Sequence, residues 1–291
     1  METRLFSGYS DLRAMQRLAQ EVWRLAPEHI DIDGGVGGMA WTATQHIGRE
    51  REWKRRLWFD DGRPLAWGWV FQPASLLWQV RADHAQLHDE ILDWFEAATE
   101  GPRDVSVSQA NAAGIEALQA HNYVPDPTAE RSLGNVRELD DLEDPVVPSG
   151  YVLKTMREYG NYEARVDIHR IVWHPSRVTN ESYANVRSTW PYRDDLDCVI
   201  EGPDGSLVAY TLAWCDDETG LGEFEPVGVH PDHRRLGLGR AVNLFALHRL
   251  REAGARTALV GCVEDEKNPG PKALYRSVGF RELNRNQIFK R

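Results

Sequence analysis

The sequence predicts an α/β protein made of two halves with the same order of elements. Three observations carry this. Strand-like apolar runs alternate with stretches of helical periodicity along the whole chain. Each half contains a two-strand signal closed by a turn, Asp60-Asp61-Gly62-Arg63-Pro64 in the first and Pro203-Asp204-Gly205-Ser206 in the second. Between them runs Arg137 to Gly150, a charged surface crossing with two prolines and five acidic residues. The boundaries that follow are 1–137 for the first unit, 138–150 for a linker and 151–291 for the second unit.

In the first unit a short strand near Thr3 to Phe6 precedes a helix from about Ser10 to Leu25. Ser10 or Asp11 supplies its N-cap, and Leu12, Met15, Leu18, Ala19 and Val22 fall on one face. Gly34-Gly35-Val36-Gly37-Gly38 lacks a strand before it and a clean helix after it, so a flexible loop is expected there. Strands follow at Arg56 to Phe59, Leu65 to Phe71 and Ser75 to Val80, then a helix from His84 to Ala98. A strand at Asp104 to Val107 and a helix from Ala110 to Ala120 close the unit.

The second unit opens with a strand at Tyr151 to Thr155 and a helix from Tyr162 to Val172. An aromatic loop through Tyr183, Trp190 and Tyr192 leads to strands at Leu196 to Glu201 and Leu207 to Trp214. A strand ending at Val229, a basic glycine-bearing loop and a helix from Arg240 to Glu252 come next. A strand at Thr257 to Cys262, a helix from Pro271 to Val278 and a strand at Arg281 to Phe289 complete the chain. Gly279 suits a helix C-cap, which calls for positive φ.

The halves overlay with one informative gap. Val80 and Asp83 fall on Val229 and Asp232 with a shift of 149, whereas Asn122 and Tyr123 fall on Gly279 and Phe280 with a shift of 157. The eight extra residues of the second half are His233 to Arg240. In their place the first half runs through Ala82-Asp83-His84 straight into a helix, and it carries Leu118 opposite Tyr275.

Those eight residues have a physical use. A helix start leaves several backbone N–H groups unsatisfied, and with the helix dipole they suit an anion such as phosphate. Gly237 and Gly239 allow backbone to lie against a pyrophosphate, while Arg234 and Arg235 add guanidinium charge.

Arg234-x-x-Gly237-x-Gly239, set directly behind Val227-Gly228-Val229-His230-Pro231, resembles the coenzyme A loop of the GNAT N-acetyltransferase superfamily. Downstream, Asn268 to Phe280 (NPGPKALYRSVGF) is similar to that family's signature Asn-x-x-Ala-x-x-Leu-Tyr-x-x-x-Gly-Phe, with Pro271 at the alanine position. A proline in the first helical turn costs little. The resemblance covers Leu207 to Phe280 clearly and the rest of the second half by topology.

It implies two tandem GNAT-like units, each a mixed, mostly antiparallel central sheet flanked by helices, with the first unit degenerate. Acetyl-CoA would be the co-substrate of the second unit alone, with no metal. Backbone groups of Val227, Gly228 and Val229 would meet the pantetheine arm, and Arg234, Arg235, Leu236, Gly237, Leu238, Gly239 and Arg240 would hold the pyrophosphate. Asn268 would orient the pantetheine or a water, and Tyr275 would protonate the leaving thiolate. Glu223 and Glu225 are alternatives for the base, unless neither serves; either could instead be a solvated strand residue or bind the substrate's cation, and His230, a further option, reads more simply as a packing or turn histidine. The implied acceptor is a small-molecule primary amine, aminoglycoside-like or derived from an amino acid. A non-catalytic acyl-CoA sensor, an O-acyltransferase and a protein N-acetyltransferase are the alternatives. Trp190, Tyr192, Trp214, Asp194, Asp195, Asp216 and Asp217 could line an acidic, aromatic acceptor pocket, though core packing or exposure explains each singly.

Composition narrows the classes. With 42% apolar and 27% charged residues the chain is globular in character, and no apolar run approaches the roughly 20 residues that span a bilayer. A formal net charge of −11 argues against nucleic-acid binding, which rests on cationic surface. Cys198, Cys215 and Cys262 lack metal-ligand spacing and read as buried thiols. A cytoplasmic monomer or homodimer is the expected setting.

Overall fold

The computed structural model describes residues 1–265 and 267–291. The first half comprises β1 (Glu2–Leu5), α1 (Tyr9–Leu25), α2 (Val36–Thr44), β2 (Trp53–Asp60), β3 (Arg63–Phe71), β4 (Ser75–Val80), α3 (Leu87–Ala98), β5 (Asp104–Ser108), α4 (Ala112–Ala120), β6 (Val124–Pro125) and β7 (Arg131–Glu138). The second comprises β8 (Val152–Thr155), α5 (Met156–Tyr159), α6 (Tyr162–Val172), α7 (Asn180–Ser188), β9 (Asp197–Glu201), β10 (Leu207–Asp216), β11 (Leu221–Val229), α8 (Leu238–Glu252), β12 (Thr257–Glu264), α9 (Gly270–Ser277) and β13 (Arg281–Lys290).

The strands form one continuous sheet in the order β1-β2-β3-β4-β5-β13-β7-β12-β11-β10-β9-β8, with β6 beside β13. Pairing is antiparallel except for β4 with β5 and β11 with β12. Continuity arises because each half lends its last strand to the other. β13 pairs with β5 from Asn286 opposite Ser108 to Lys290 opposite Asp104, and β7 pairs with β12 from Glu138 opposite Thr257 to Arg131 opposite Glu264. The exchanged strands also pair with each other at the centre. Separating the halves would therefore bare two sheet edges with unpaired backbone groups.

β7 was not among the strands expected from the sequence. Its run RSLGNVRE does not alternate cleanly, because the buried partner of Leu133 and Val136 is the polar Asn135. The Asn135 amide donates to the carbonyls of Leu133 and Val260 and so satisfies itself inside the sheet. A second departure lies within the aromatic loop of the second half. Residues Asn180–Ser188 form α7, started by a capping arrangement in which Thr179 Oγ1 accepts from the Ser182 amide.

The third concerns Gly34 to Gly38, which is buried rather than a flexible loop and leads directly into α2. A Cβ on Gly35 would strike the Glu223 carboxylate, and one on Gly37 would enter the Trp214 ring. The glycines are there for close approach between the halves. Around them Ala40 and Trp41 of α2 pack with Val166, Val178, Tyr183, Val186, Leu212 and Trp214 of the second half. Gln20 Nε2 adds a buried crossing bond to Asp216 Oδ1 at 2.8 Å.

Candidate active site

β11 and β12 pair only from Leu221 opposite Thr257 to Phe224 opposite Val260. Beyond that point β11 stays on β10, with Val229 opposite Ala209, while β12 diverges. The result is a cleft of about 700 Å³ lined by Glu225, Val227, Gly228, Val229, the 233–240 loop, Asn268, Pro271 and Tyr275. His230 N donates to Val208 O on the β10 side, so alternation along the strand turns the peptide groups of Val229 and Val227 towards the open side.

The loop at the mouth has a geometry that would suit an anion. Gly237 takes φ +79° as the N-cap of α8, a left-handed conformation that favours glycine, and Arg235 lies at φ +65°. This turn brings the free N–H groups of the first turn of α8 to face the cleft. Among the described residues neither Arg234 nor Arg235 has a carboxylate within ion-pair distance, whereas Arg240 Nη2 bonds Glu143 Oε2 at 2.7 Å. Pro271 occupies the first turn of α9, as its position in the sequence predicts. One turn on, Tyr275 is buried in the cleft wall with its ring edge to Phe280. Burial, then the negative charge of Glu225, push its pKa far above the ordinary range, so the phenol keeps its proton at neutral pH.

The two glutamates separate sharply. Glu223 is buried, and its oxygens accept from the amides of Gly37 at 2.8 Å and Gly38 at 2.7 Å, at the start of α2. Burial pushes its pKa up to about 7 against those two bonds, with Asp33 and Asp216 adding to the rise. Its bidentate contact is that of an ionised carboxylate docked on a helix N-terminus. Glu223 lines neither the cleft nor the cavity beside it.

Glu225 lines both. Its side chain has no hydrogen-bond donor among the described residues, and its backbone carbonyl accepts from Trp214 Nε1 at 2.7 Å. Burial, then the charges of Asp33 and Glu223, raise its pKa to about 8. His230 lies outside both spaces, and its Nδ1 accepts from the Asp232 amide.

The adjoining cavity of about 350 Å³ lies between the halves. Trp41, Gln45, His46 and Arg49 come from α2 and the turn after it; His169, Trp173, Pro175, Ser176 and Arg177 come from α6 and the loop that follows; Glu225 and Pro226 form the floor. None of the acidic or aromatic residues expected from the sequence to line an acceptor pocket is among them. Asp194 and Asp195 are bonded by Arg157 and Arg193, Asp216 is held by Gln20 and Thr219, and Trp214 is core. Nothing in the local sequence marks Gln45, His46 or Arg49, because their roles depend on the other half of the chain.

The first half lacks the corresponding space. Trp78 Nε1 of β4 donates to the Ser106 carbonyl of β5 at 3.0 Å, bridging the divergence that in the second half stays open. Asp31 fills what remains, accepting from Ser106 Oγ at 2.6 Å and Asn286 Nδ2 at 2.5 Å, and only about 10 Å³ is left. Where the anion seat would be, Asp83 accepts from Arg81 Nε at 2.6 Å, and α3 begins at Leu87.

Residues 161–280 match the family model described as acetyltransferase (GNAT) family. The second half of the chain thus carries a GNAT acetyltransferase domain. Mycothiol acetyltransferase of Thermomonospora curvata is 31% identical over 150 residues, which are 50% of this chain and 49% of that protein. The Acidothermus cellulolyticus protein of the same name is 26% identical across 96% of this chain and 93% of its own length. The chain thus spans about half the length of the first of these relatives and nearly all of the second. In fold, the whole chain is similar to a GCN5-related N-acetyltransferase from Sphaerobacter thermophilus, with TM-score 0.64, 17% identity, and 100% and 95% of the two chains covered. It is likewise similar to a tandem GNAT protein from the clavulanic acid biosynthesis pathway, with TM-score 0.62, 13% identity, and 100% and 98% covered. Among the described residues no helix is long and apolar enough to cross a membrane.

Proposed function

We propose that this chain, through its GNAT domain, transfers an acetyl group from acetyl-CoA directly to the primary amine of a small molecule. The observation that carries the reading is the position of Glu225, whose carboxyl borders both the cleft and the cavity between the halves. The donor would lie in the cleft with its pyrophosphate on the 234–240 loop and its pantetheine along Val227 to Val229. The acceptor would enter from the other side. Catalysis belongs to residues 151–291, and residues 1–137 supply the second wall of the acceptor cavity.

Amines are protonated at neutral pH, so attack requires a base. Glu225 takes that proton; a carboxylate with a pKa near 8 is matched to the task. The nitrogen forms its bond to the acetyl carbon, and a backbone N–H of Val227 or Val229 receives the oxyanion. Collapse breaks the C–S bond; Tyr275 delivers its proton to the departing thiolate, and the second proton shed by the new amide nitrogen restores the tyrosine, by way of solvent. Glu223 keeps α2 in place and takes no proton from the substrate. Three unpaired thiols and dependence on acetyl-CoA favour a reducing, cytoplasmic setting.

Release of free thiol from acetyl-CoA over a panel of amines, a mycothiol-type acceptor included, tests the reading. Tyr275→Phe should lower kcat about 100–10,000-fold, the span usual for a general acid, and leave the CoA Kd within about twofold. Equal loss of both would contradict the acid role.

A further inference from the structure

Resting on the acetyl-transfer reading, we propose that the acceptor is an amine bearing an anionic group, a carboxylate or a phosphate, which Arg49 and Arg177 clamp at the mouth of the cavity between the halves. The two guanidinium groups come from opposite halves and meet on one carboxylate. Arg49 Nε lies 2.8 Å from Glu52 Oε2, and Arg177 Nη2 lies 3.3 Å from Glu52 Oε1. Each arginine thus commits a single N–H of its five to Glu52, and the rest remain free to donate.

The ion pairs are partly exposed, with side-chain accessibilities of 31% for Arg49, 58% for Arg177 and 41% for Glu52. Pairs of this kind contribute little, so a ligand anion can join or displace Glu52 without much loss. The two arginines together outweigh the one carboxylate between them. Geometry also suits a forked anion, since guanidinium meets carboxylate or phosphate through parallel N–H groups.

A second feature points the same way. His46 Nδ1 is buried at the cavity wall without a hydrogen-bond partner, leaving a polar group that a ligand oxygen or hydroxyl can satisfy. Burial first, then both arginines, keep this imidazole neutral. Across the cavity His169 is also neutral, with its Nδ1 2.9 Å from the Tyr210 hydroxyl. Glu225 is the one carboxylate lining the cavity among the described residues, and it lies at the floor. The field therefore runs from a cationic rim to a floor that becomes anionic as Glu225 loses its proton. A molecule with an amine at one end and an anion at the other aligns with it, whereas a polycation such as an aminoglycoside meets a repulsive rim.

Matched acceptor pairs test this: β-alanine against 3-aminopropanol, and glucosamine 6-phosphate against glucosamine, each followed by thiol release and by tryptophan-fluorescence titration of the CoA complex. In at least one pair the anionic member should bind, and be acetylated, about tenfold better than its neutral counterpart. Arg49→Ala with Arg177→Ala should abolish that preference and leave the CoA Kd unchanged. The pair that responds tells carboxylate from phosphate. Equal binding within both pairs, or a preference that survives the double variant, would overturn the proposal. Acetylation without anion preference would leave the transfer reading standing and this one refuted; anion-dependent binding without thiol release would do the reverse.

Discussion

Glu223 and Glu225 stand two residues apart on one strand, and the structure gives them opposite consequences when each is changed to glutamine. In Glu223→Gln one of the two oxygens that accept from Gly37 and Gly38 becomes an NH2 group facing a backbone N–H. A hydrogen bond to a charged group contributes about 1.5–3 kcal/mol, so a loss of that size is expected. For a chain of this length 1 kcal/mol corresponds to roughly 2 °C, which puts the fall in Tm at about 3–6 °C. Because α2 also carries Trp41 and leads to His46, the KM for the acceptor should rise while kcat stays within a few-fold. Glu225→Gln removes a carboxylate that no described group bonds, so Tm should hold or rise. Its kcat should fall about 100–10,000-fold, the usual contribution of a general base. Differential scanning fluorimetry beside the thiol-release assay reads both. A Glu225→Gln enzyme with kcat within threefold of wild type, or a Glu223→Gln enzyme that keeps its Tm and loses kcat, would refute the assignment.

The pH profile of kcat/KM should climb through neutrality, reach half its plateau near 8 and level off above about 9, because Glu225 with a pKa of about 8 acts only when deprotonated; a profile flat from pH 6 to 9 would contradict its role. Arg165 and Asp197 are both fully buried and paired at 2.9 Å, and Tyr183 also donates to Asp197. Arg165→Met should cost about 3–5 kcal/mol by leaving the aspartate without its cation, read as a drop in Tm, and a Tm within 1–2 °C of wild type would count against the pair as a structural element. Replacing Arg234 and Arg235 together by alanine should weaken CoA binding at least tenfold with no change in Tm; unchanged CoA affinity would remove the loop from the donor site.

Local patterns in the sequence carried the second half well. The glycines of the 234–240 loop, Pro271 in a first helical turn and Tyr275 one turn on each act through their own neighbours, and each lies where its spacing predicts. The paths of β7 and β13 were not legible, because their partners are more than 100 residues away and Asn135 and Asn286 interrupt the apolar alternation. Gly34 to Gly38 illustrates the same limit. A glycine run signals a loop when read alone, and only the Glu223 carboxylate and the Trp214 ring, both in the other half, explain why these positions have no side chain. The lining of the cavity between the halves was not legible for a related reason. Acidic and aromatic residues near Trp190 and Asp216 were candidates for a pocket, yet several of those side chains find arginine, glutamine and core partners, and this cavity is walled in part by α2. The Glu223 bonds to Gly37 and Gly38 and the packing of Ala40 and Trp41 hold that helix against the second half.

Isothermal titration of the intact chain with coenzyme A tests the central claim most directly. One equivalent per chain is expected, abolished or strongly weakened by the Arg234 and Arg235 replacements and untouched by changes at Trp78 or Asp83. No binding, or two equivalents per chain, would contradict an account in which only the second half keeps its strands apart and its anion seat open.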